Sequence, residues 1–292
     1  MLNIEYIDLT KSDRTGIVIS DGSIEKSHHR FDCLPFRIIK VTLEPSSDYT
    51  SNLIKSTKNR LKGISFNPSN SAGVKREQDQ IEINSFAGYI AEQICFDILS
   101  KYNRYQKSIQ ISLDDSKSSK DQIDITVSKT WQDKSGNIIS KKETIEVRSS
   151  FPINPIEKVI SSNFDVIGPY TNQVKRKENE KDYYLRVFFQ VNPNNDVLSK
   201  KNLNKTTSKL LKSFFDDDMN LINKLNVYFV GGATKEMMQD ESISYSGSMK
   251  SNSYNKNNAA QYRKIKLRNA MDSISILHRI LSVITDEKFK SK

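Results

Sequence analysis

Three acidic side chains and one arginine carry the chemistry that the sequence offers. Asp124 and Glu146 lie in the stretch DQIDITVSKTWQDKSGNIISKKETIEVRSS, residues 121–150. Ile123, Ile125 and Val127 alternate there with Gln122, Asp124 and Thr126. Ile145 and Val147 alternate with Thr144, Glu146 and Arg148. Alternation with period two marks half-buried strands. The Asp133-Lys134-Ser135-Gly136-Asn137 segment between them is rich in turn formers. Two carboxylates with a guanidinium two residues along make a divalent-cation site beside a fixed positive charge.

The pairing register follows from parity. Paired residue numbers in an antiparallel hairpin have a constant sum, and both apolar sets are odd-numbered, so they share a face only if that sum is even. A turn centred near Ser135 sets the sum at about 270. Ile125 then faces Ile145, Ile123 faces Val147, and Asp124 faces Glu146. Directly opposed Cβ atoms lie roughly 4.5–5.5 Å apart. Carboxylates that close repel unless a cation stands between them, and Arg148 lies on their face of the strand.

The elements that must position this group are legible on either side. Ser85 to Leu99 reads as a helix, with Ser85 as N-cap and Ala87, Ile90, Ala91, Ile94, Cys95, Ile98 and Leu99 on one stripe. Glu92 lies beside that stripe. Tyr183 to Val191 and Asn226 to Gly232 read as strands buried on both faces, and Ala233 to Asp240 as a helix. Lys200 to Phe215 reads as a basic helix and Ala270 to Ile284 as an amphipathic one; Ser242 to Asn258 has loop composition. Upstream, Phe36 to Leu43 looks like a strand, within an N-terminal extension over residues 1–75. The order of elements from Ser85 onward predicts an α/β sandwich around a mixed sheet.

Charge narrows the function classes. Lys and Arg number 45 against 35 Asp and Glu, a net charge of +10. That surplus favours a polyanionic partner, nucleic acid before membrane. Lys175, Arg176 and Lys177 form a basic run expected to touch phosphates. No apolar run approaches a membrane span and the first residues lack a signal pattern, so the expected location is cytoplasmic. Two cysteines are too few for a disulfide framework or a zinc site. The Asp216-Asp217-Asp218 run is read as acids at a helix terminus, because consecutive acids do not share a helix face.

The Glu-bearing helix, the Asp-bearing strand, the Glu-Val-Arg strand and the buried strand after them resemble the core of PD-(D/E)XK nucleases, the restriction-endonuclease-like superfamily. Asp124 stands at the family's Asp, Glu146 at its acidic position, Val147 at X, and Arg148 where Lys is usual. Glu92 stands at the acidic position many members carry on the first helix. The resemblance covers roughly residues 86–232 and implies a restriction-endonuclease-like mixed sheet flanked by helices, over residues 76–292. It implies a Mg²⁺-dependent endonuclease acting on DNA, of the restriction or phage-defence type. Asp124 and Glu146 would hold the metal with the Val147 carbonyl, and Glu92 a second metal or its water. Expected partners are double-stranded DNA and a second copy of the chain.

Arg148 departs from the family pattern. An arginine stays protonated and cannot act as a base, but it can bind phosphate. Lys141, Lys142 or Lys158 are alternatives for the missing lysine. The competing expectation is an inactive nuclease fold that binds DNA or serves an assembly.

Overall fold

The computed structural model describes residues 2–9, 15–20, 23–30, 36–62, 78–104, 106–114, 123–151, 156, 164–171, 178–193, 222–248 and 261–283. The chain is mixed α/β. Its main sheet has seven strands: β1 (Ile4–Leu9), β4 (Phe36–Leu43), β5 (Ile109–Leu113), β6 (Ile125–Gln132), β7 (Ile138–Ser150), β9 (Tyr183–Pro193) and β10 (Ile222–Thr234). Their spatial order is β1-β4-β10-β9-β7-β6-β5. All neighbours are antiparallel except β7 and β9. A parallel pair needs a crossover. Here the crossover contains β8 (Asp165–Thr171), which joins β11 (Ser244–Ser248) and β12 (Gln261–Lys266) in a separate three-stranded sheet. A two-stranded ribbon, β2 (Thr15–Ser20) with β3 (Ser23–Arg30), forms a third sheet.

Layers cover both faces of the main sheet. Helices α1 (Asp48–Leu61), α2 (Gln78–Asn103) and α4 (Ser273–Leu281) pack on one face. Their Leu53, Phe86, Ile90, Ile94 and Ile276 meet Val41, Val127, Ile145, Val147, Leu185 and Phe229 of the strands in one buried cluster. The three-stranded sheet and the short helix α3 (Lys235–Gln239) cover the other face. There Val166, Ile265, Met237 and Met238 bury Phe36, Tyr184, Phe188 and Tyr228. Strands β9 and β10 are apolar along both edges of the pleat because each faces a core on either side. Local chemistry sets the helix starts: Ser47 caps α1 by accepting the Thr50 amide at 3.2 Å, and Asp272 caps α4 by accepting the Ser275 amide at 2.7 Å.

The hairpin register agrees with the parity argument. Ile125 pairs with Ile145, Thr126 with Thr144, and so on to Gln132 with Ile138. The ladder begins at Ile125, so Ile123 does not pair with Val147 within it. Helix α2 is longer than the apolar stripe suggests, and Ser85 lies inside it rather than capping it. Part of the Ser242–Asn258 stretch is strand β11 rather than loop. The N-terminal extension supplies strands to the main sheet, and β4 lies between β1 and β10. The basic helix expected at 200–215 and the acidic run at 216–218 lie outside the described residues.

Candidate active site

Asp124 stands one residue before β6, at the end of the sheet where that strand begins. Its amide donates to the Ile145 carbonyl at 3.1 Å. Its Oδ2 accepts the Val147 amide at 2.6 Å, so the opposite strand's backbone holds this carboxylate in place. The ladder ends at Ile125 and Ile145, and the Asp124 amide bonds the Ile145 carbonyl, so the expected pairing of Asp124 with Glu146 is not part of it: the chain shifts register at Asp124. Burial lifts the Asp124 carboxyl well above the usual range, and the neighbouring charge of Glu92 lifts it further. The Val147 amide, Arg148 and Arg60 pull in the opposite direction.

Glu146 is buried, on the face of β7 that looks toward the three-stranded sheet. It forms an ion pair with Arg148 two residues along the same strand. Burial pushes its carboxyl up to about 8; Arg148 and Lys181 oppose the rise, and Glu178 and Asp124 add to it. Its Oε2 is buried and has no hydrogen-bond partner among the described residues. Glu92, on α2, pairs with Arg60 of α1 at 3.1 Å, and the Arg60 guanidinium lies 4.1 Å from the Tyr89 ring centroid. Burial raises the Glu92 carboxyl as well, against the pull of Arg60. Glu92 on the helical side raises Asp124, and Asp124 in turn raises Glu146 on the opposite face.

Arg148 is fully engaged on its Nη2 side. Besides Glu146 it bonds both carboxylate oxygens of Glu178, at 3.3 and 3.1 Å. Tyr170 and Tyr262 place their ring centroids 6.0 and 5.8 Å from its guanidinium. Burial disfavours its charge, but Glu146 and Glu178 outweigh burial and hold the guanidinium more firmly protonated. Arg186, its register partner on β9, is also buried and donates to Ser150 Oγ at 2.9 Å. Burial and then the Arg148 charge bring Arg186 down to about 9. Two arginines thus stand side by side on parallel strands, each with a buried Nε lacking a partner.

The sequence-derived residues fall into two sets. Glu92, Asp124, Glu146, Val147 and Arg148 gather at one end of β6 and β7. Lys175, Arg176 and Lys177 lie outside the described residues, as does Lys158. Of the alternative lysines, Lys141 pairs with Glu143 at 3.1 Å, and Lys142 is exposed. Sequence reasoning missed Glu178, Lys181 and Arg60. Lys181 is buried and near enough to Glu146 for its charge to lower that carboxyl. Glu178 and Lys181 belong to the charged run Lys175–Asp182 that leads directly into an apolar strand. Charges in that position must either face solvent or find buried partners, and that was the available signal.

The donor set fits a hard divalent cation, which takes carboxylate oxygens. Asp124 stands just before β6, Glu146 on the neighbouring β7 and Glu92 on α2, and Glu146 Oε2 is a buried acceptor without a hydrogen-bond partner among the described residues. Glu146 and Glu92 are turned toward Arg148 and Arg60, and among the described residues no three acidic, histidine or cysteine side chains already converge on one point. Among the described residues no helix is long and apolar enough to cross a membrane.

Fold and site together define a mixed α/β chain with an acidic cluster at a sheet end. The chain is similar to an uncharacterized protein of Methanocaldococcus jannaschii, 28% identical over 221 residues that span 70% of this chain and 74% of that one. No family model matches the chain, and no solved structure matches it significantly.

Proposed function

We propose that the protein is a Mg²⁺-dependent endonuclease that hydrolyses DNA phosphodiester bonds, of the restriction or phage-defence type. The observation that carries this reading is the fixed position of Asp124 on the Val147 amide, near a buried Glu146 whose Oε2 has no hydrogen-bond partner among the described residues. A helix followed by the antiparallel β5-β6-β7 meander and by β9 parallel to β7 supports a restriction-endonuclease-like assignment. Asp124 and Glu146, with the Val147 carbonyl, would hold the cation, and Glu92 would serve a second position. When bound, Mg²⁺ supplies charge neutralisation at the phosphoryl oxygens and acidity for water. Arg148 and Arg186 provide fixed positive charge beside the phosphate. Lys181 is our candidate to compensate for the family lysine that Arg148 replaces, because among the described residues its charge acts on Glu146.

One observation favours the inactive alternative. Arg148 is clamped between Glu146 and Glu178, and Glu146 must exchange that partner to accept a metal. Incubating purified protein with supercoiled plasmid and Mg²⁺, then Mn²⁺, decides between the two. Nicking that EDTA abolishes is the result expected of the enzyme. DNA retention on a gel with no strand cleavage under either metal would establish the binding module instead.

A further inference from the structure

The sheet face that carries Glu146 holds a second concavity. Tyr170 of β8, Tyr262 of β12, Tyr184 of β9 and Met238 of α3 wall a pocket of about 290 Å³. Small-molecule pockets run from about 300 to 1,000 Å³, so this one has room for a single ring system and not for a length of duplex. The half-buried Tyr170 ring offers a stacking surface, with Tyr262 and Tyr184 buried behind it, and every nucleobase has a π-face to offer such a surface. Tyr170 and Tyr262 are tilted at 44° with centroids 5.5 Å apart, too close to admit a base between them. A base would lie against the wall that they build together.

Cations stand at the same pocket. Lys235 Nζ is 3.4 Å from Glu180, and Arg263 Nη2 is 3.8 Å from Glu241, whose side chain is 90% exposed. Arg263 is held in place by its Nε, which donates to the Met238 carbonyl at 2.8 Å, and Glu180 lines the pocket beside Lys235; pairs with one well-exposed partner are weak, so a phosphate can compete for these cations. The pocket also adjoins the candidate active site. Tyr184 is the register partner of Glu146, and the Tyr170 and Tyr262 rings are those beside the Arg148 guanidinium. Successive nucleotides of one duplex strand advance by about 3.4 Å. A base within two nucleotides of a phosphate at Arg148 therefore reaches the tyrosine wall.

We infer that this pocket receives one nucleobase turned out of the nucleic acid held at Glu146 and Arg148. An enzyme that extrudes a base reads its edge and its exocyclic groups inside a closed pocket, so the pocket would decide which base, or which modified base, is accepted. The identity of the neighbouring phosphate rests on the nuclease reading; the pocket's affinity for a base does not.

The test uses the full chain without metal. The four 5′-deoxynucleoside monophosphates are titrated by calorimetry, with deoxyribose 5-phosphate and inorganic phosphate as controls. The expected result is that at least one nucleotide binds about ten-fold or more tighter than deoxyribose 5-phosphate, the scale of one stacked base. Ser246→Trp and Gln239→Trp each place a bulky ring at the pocket from an exposed position, and each should weaken that nucleotide about ten-fold while thermal melting stays unchanged. Deoxyribose 5-phosphate binding as well as every nucleotide overturns the inference, and so does full nucleotide affinity in both folded variants. Nucleotide binding without plasmid cleavage would defeat the nuclease reading alone. Cleavage without nucleotide binding would defeat the pocket alone.

Discussion

The Val147 amide donates to Asp124 Oδ2 across 2.6 Å, tying the first residue of the acidic cluster to the strand that carries the second. Asp124→Asn keeps an oxygen acceptor at that point and should leave thermal stability close to wild type. The same variant should lose Mg²⁺-dependent plasmid cleavage, because it lacks the charge that a cation needs. Asp124→Ala strands the Val147 amide and should cost about 1–3 kcal/mol in urea unfolding. Wild-type cleavage by the Asn variant would mean that this carboxylate takes no part in the chemistry.

Arg148 neutralises Glu146 and Glu178 together. Arg148→Ala should destabilise the protein by about 3–5 kcal/mol, the scale of breaking a buried ion pair from one side. Arg148→Lys keeps a charge and should recover most of that loss. In plasmid nicking, the Ala variant should fall by roughly 10²–10³-fold, as for loss of one preorganised donor, with the Lys variant between it and wild type. Equal cleavage by all three would remove Arg148 from the mechanism.

Burial raises the Glu146 carboxyl from its ordinary 4.5 to about 8. Between those values the folded chain keeps a proton that the unfolded chain has released. Stability should therefore be greatest at the acid end of that window and decline as pH rises through it, levelling above about 8. Asp124 and Glu92, both raised chiefly by burial, act in the same direction. Glu146→Gln should flatten the decline. Melting temperatures across this range in EDTA, for wild type and the Gln variant, check it; parallel curves would refute the assignment.

The surplus of 45 basic over 35 acidic residues should make DNA binding depend steeply on salt. A protein with 6–10 phosphate contacts loses about 10³–10⁵ in affinity between 50 and 200 mM salt. Fluorescence anisotropy on a labelled duplex should show a steep log–log slope. A flat slope would mean that phosphates are not the main contact.

Gly231 has φ of +124° and faces the Met271 carbonyl, 2.1 Å from where a Cβ would sit. Next to it, Gly232 and Met271 exchange backbone hydrogen bonds at 3.0 and 2.9 Å. Gly231→Ala should cost at least about 1–3 kcal/mol from the disallowed backbone alone. Urea unfolding measures it, and an unchanged midpoint would contradict the close approach of these two segments.

Much of the hairpin was legible in the sequence because period-two alternation and turn composition act locally. Parity, with a turn centred near Ser135, set Ile125 against Ile145. Strands β9 and β10 were legible because burial on both faces leaves an uninterrupted apolar run. The limits of α2 were not, because its first turns are polar and carry no stripe. The partners of the site were also hidden. Glu178 reaches Arg148 from 30 residues away, and Arg60 reaches Glu92 from another helix. Such pairs depend on tertiary closeness, which no local pattern encodes. The place of β4 between β1 and β10 belongs to the same kind, since β10 lies far along the chain.

That placement of β10 has a consequence for the order of assembly. During synthesis the β5–β7 meander can pair as soon as it emerges, since all its contacts are local. β4 can gain its second neighbour only after residues 222–234 follow, and the Tyr262 ring comes over Arg148 later still. Long-range pairings of this sort form slowly. The acidic group therefore stays open and half-built through much of the second half of synthesis, until the Tyr262 ring arrives. Pulsed hydrogen exchange during refolding should protect β6 and β7 before β4; simultaneous protection would show that the sheet forms in one step.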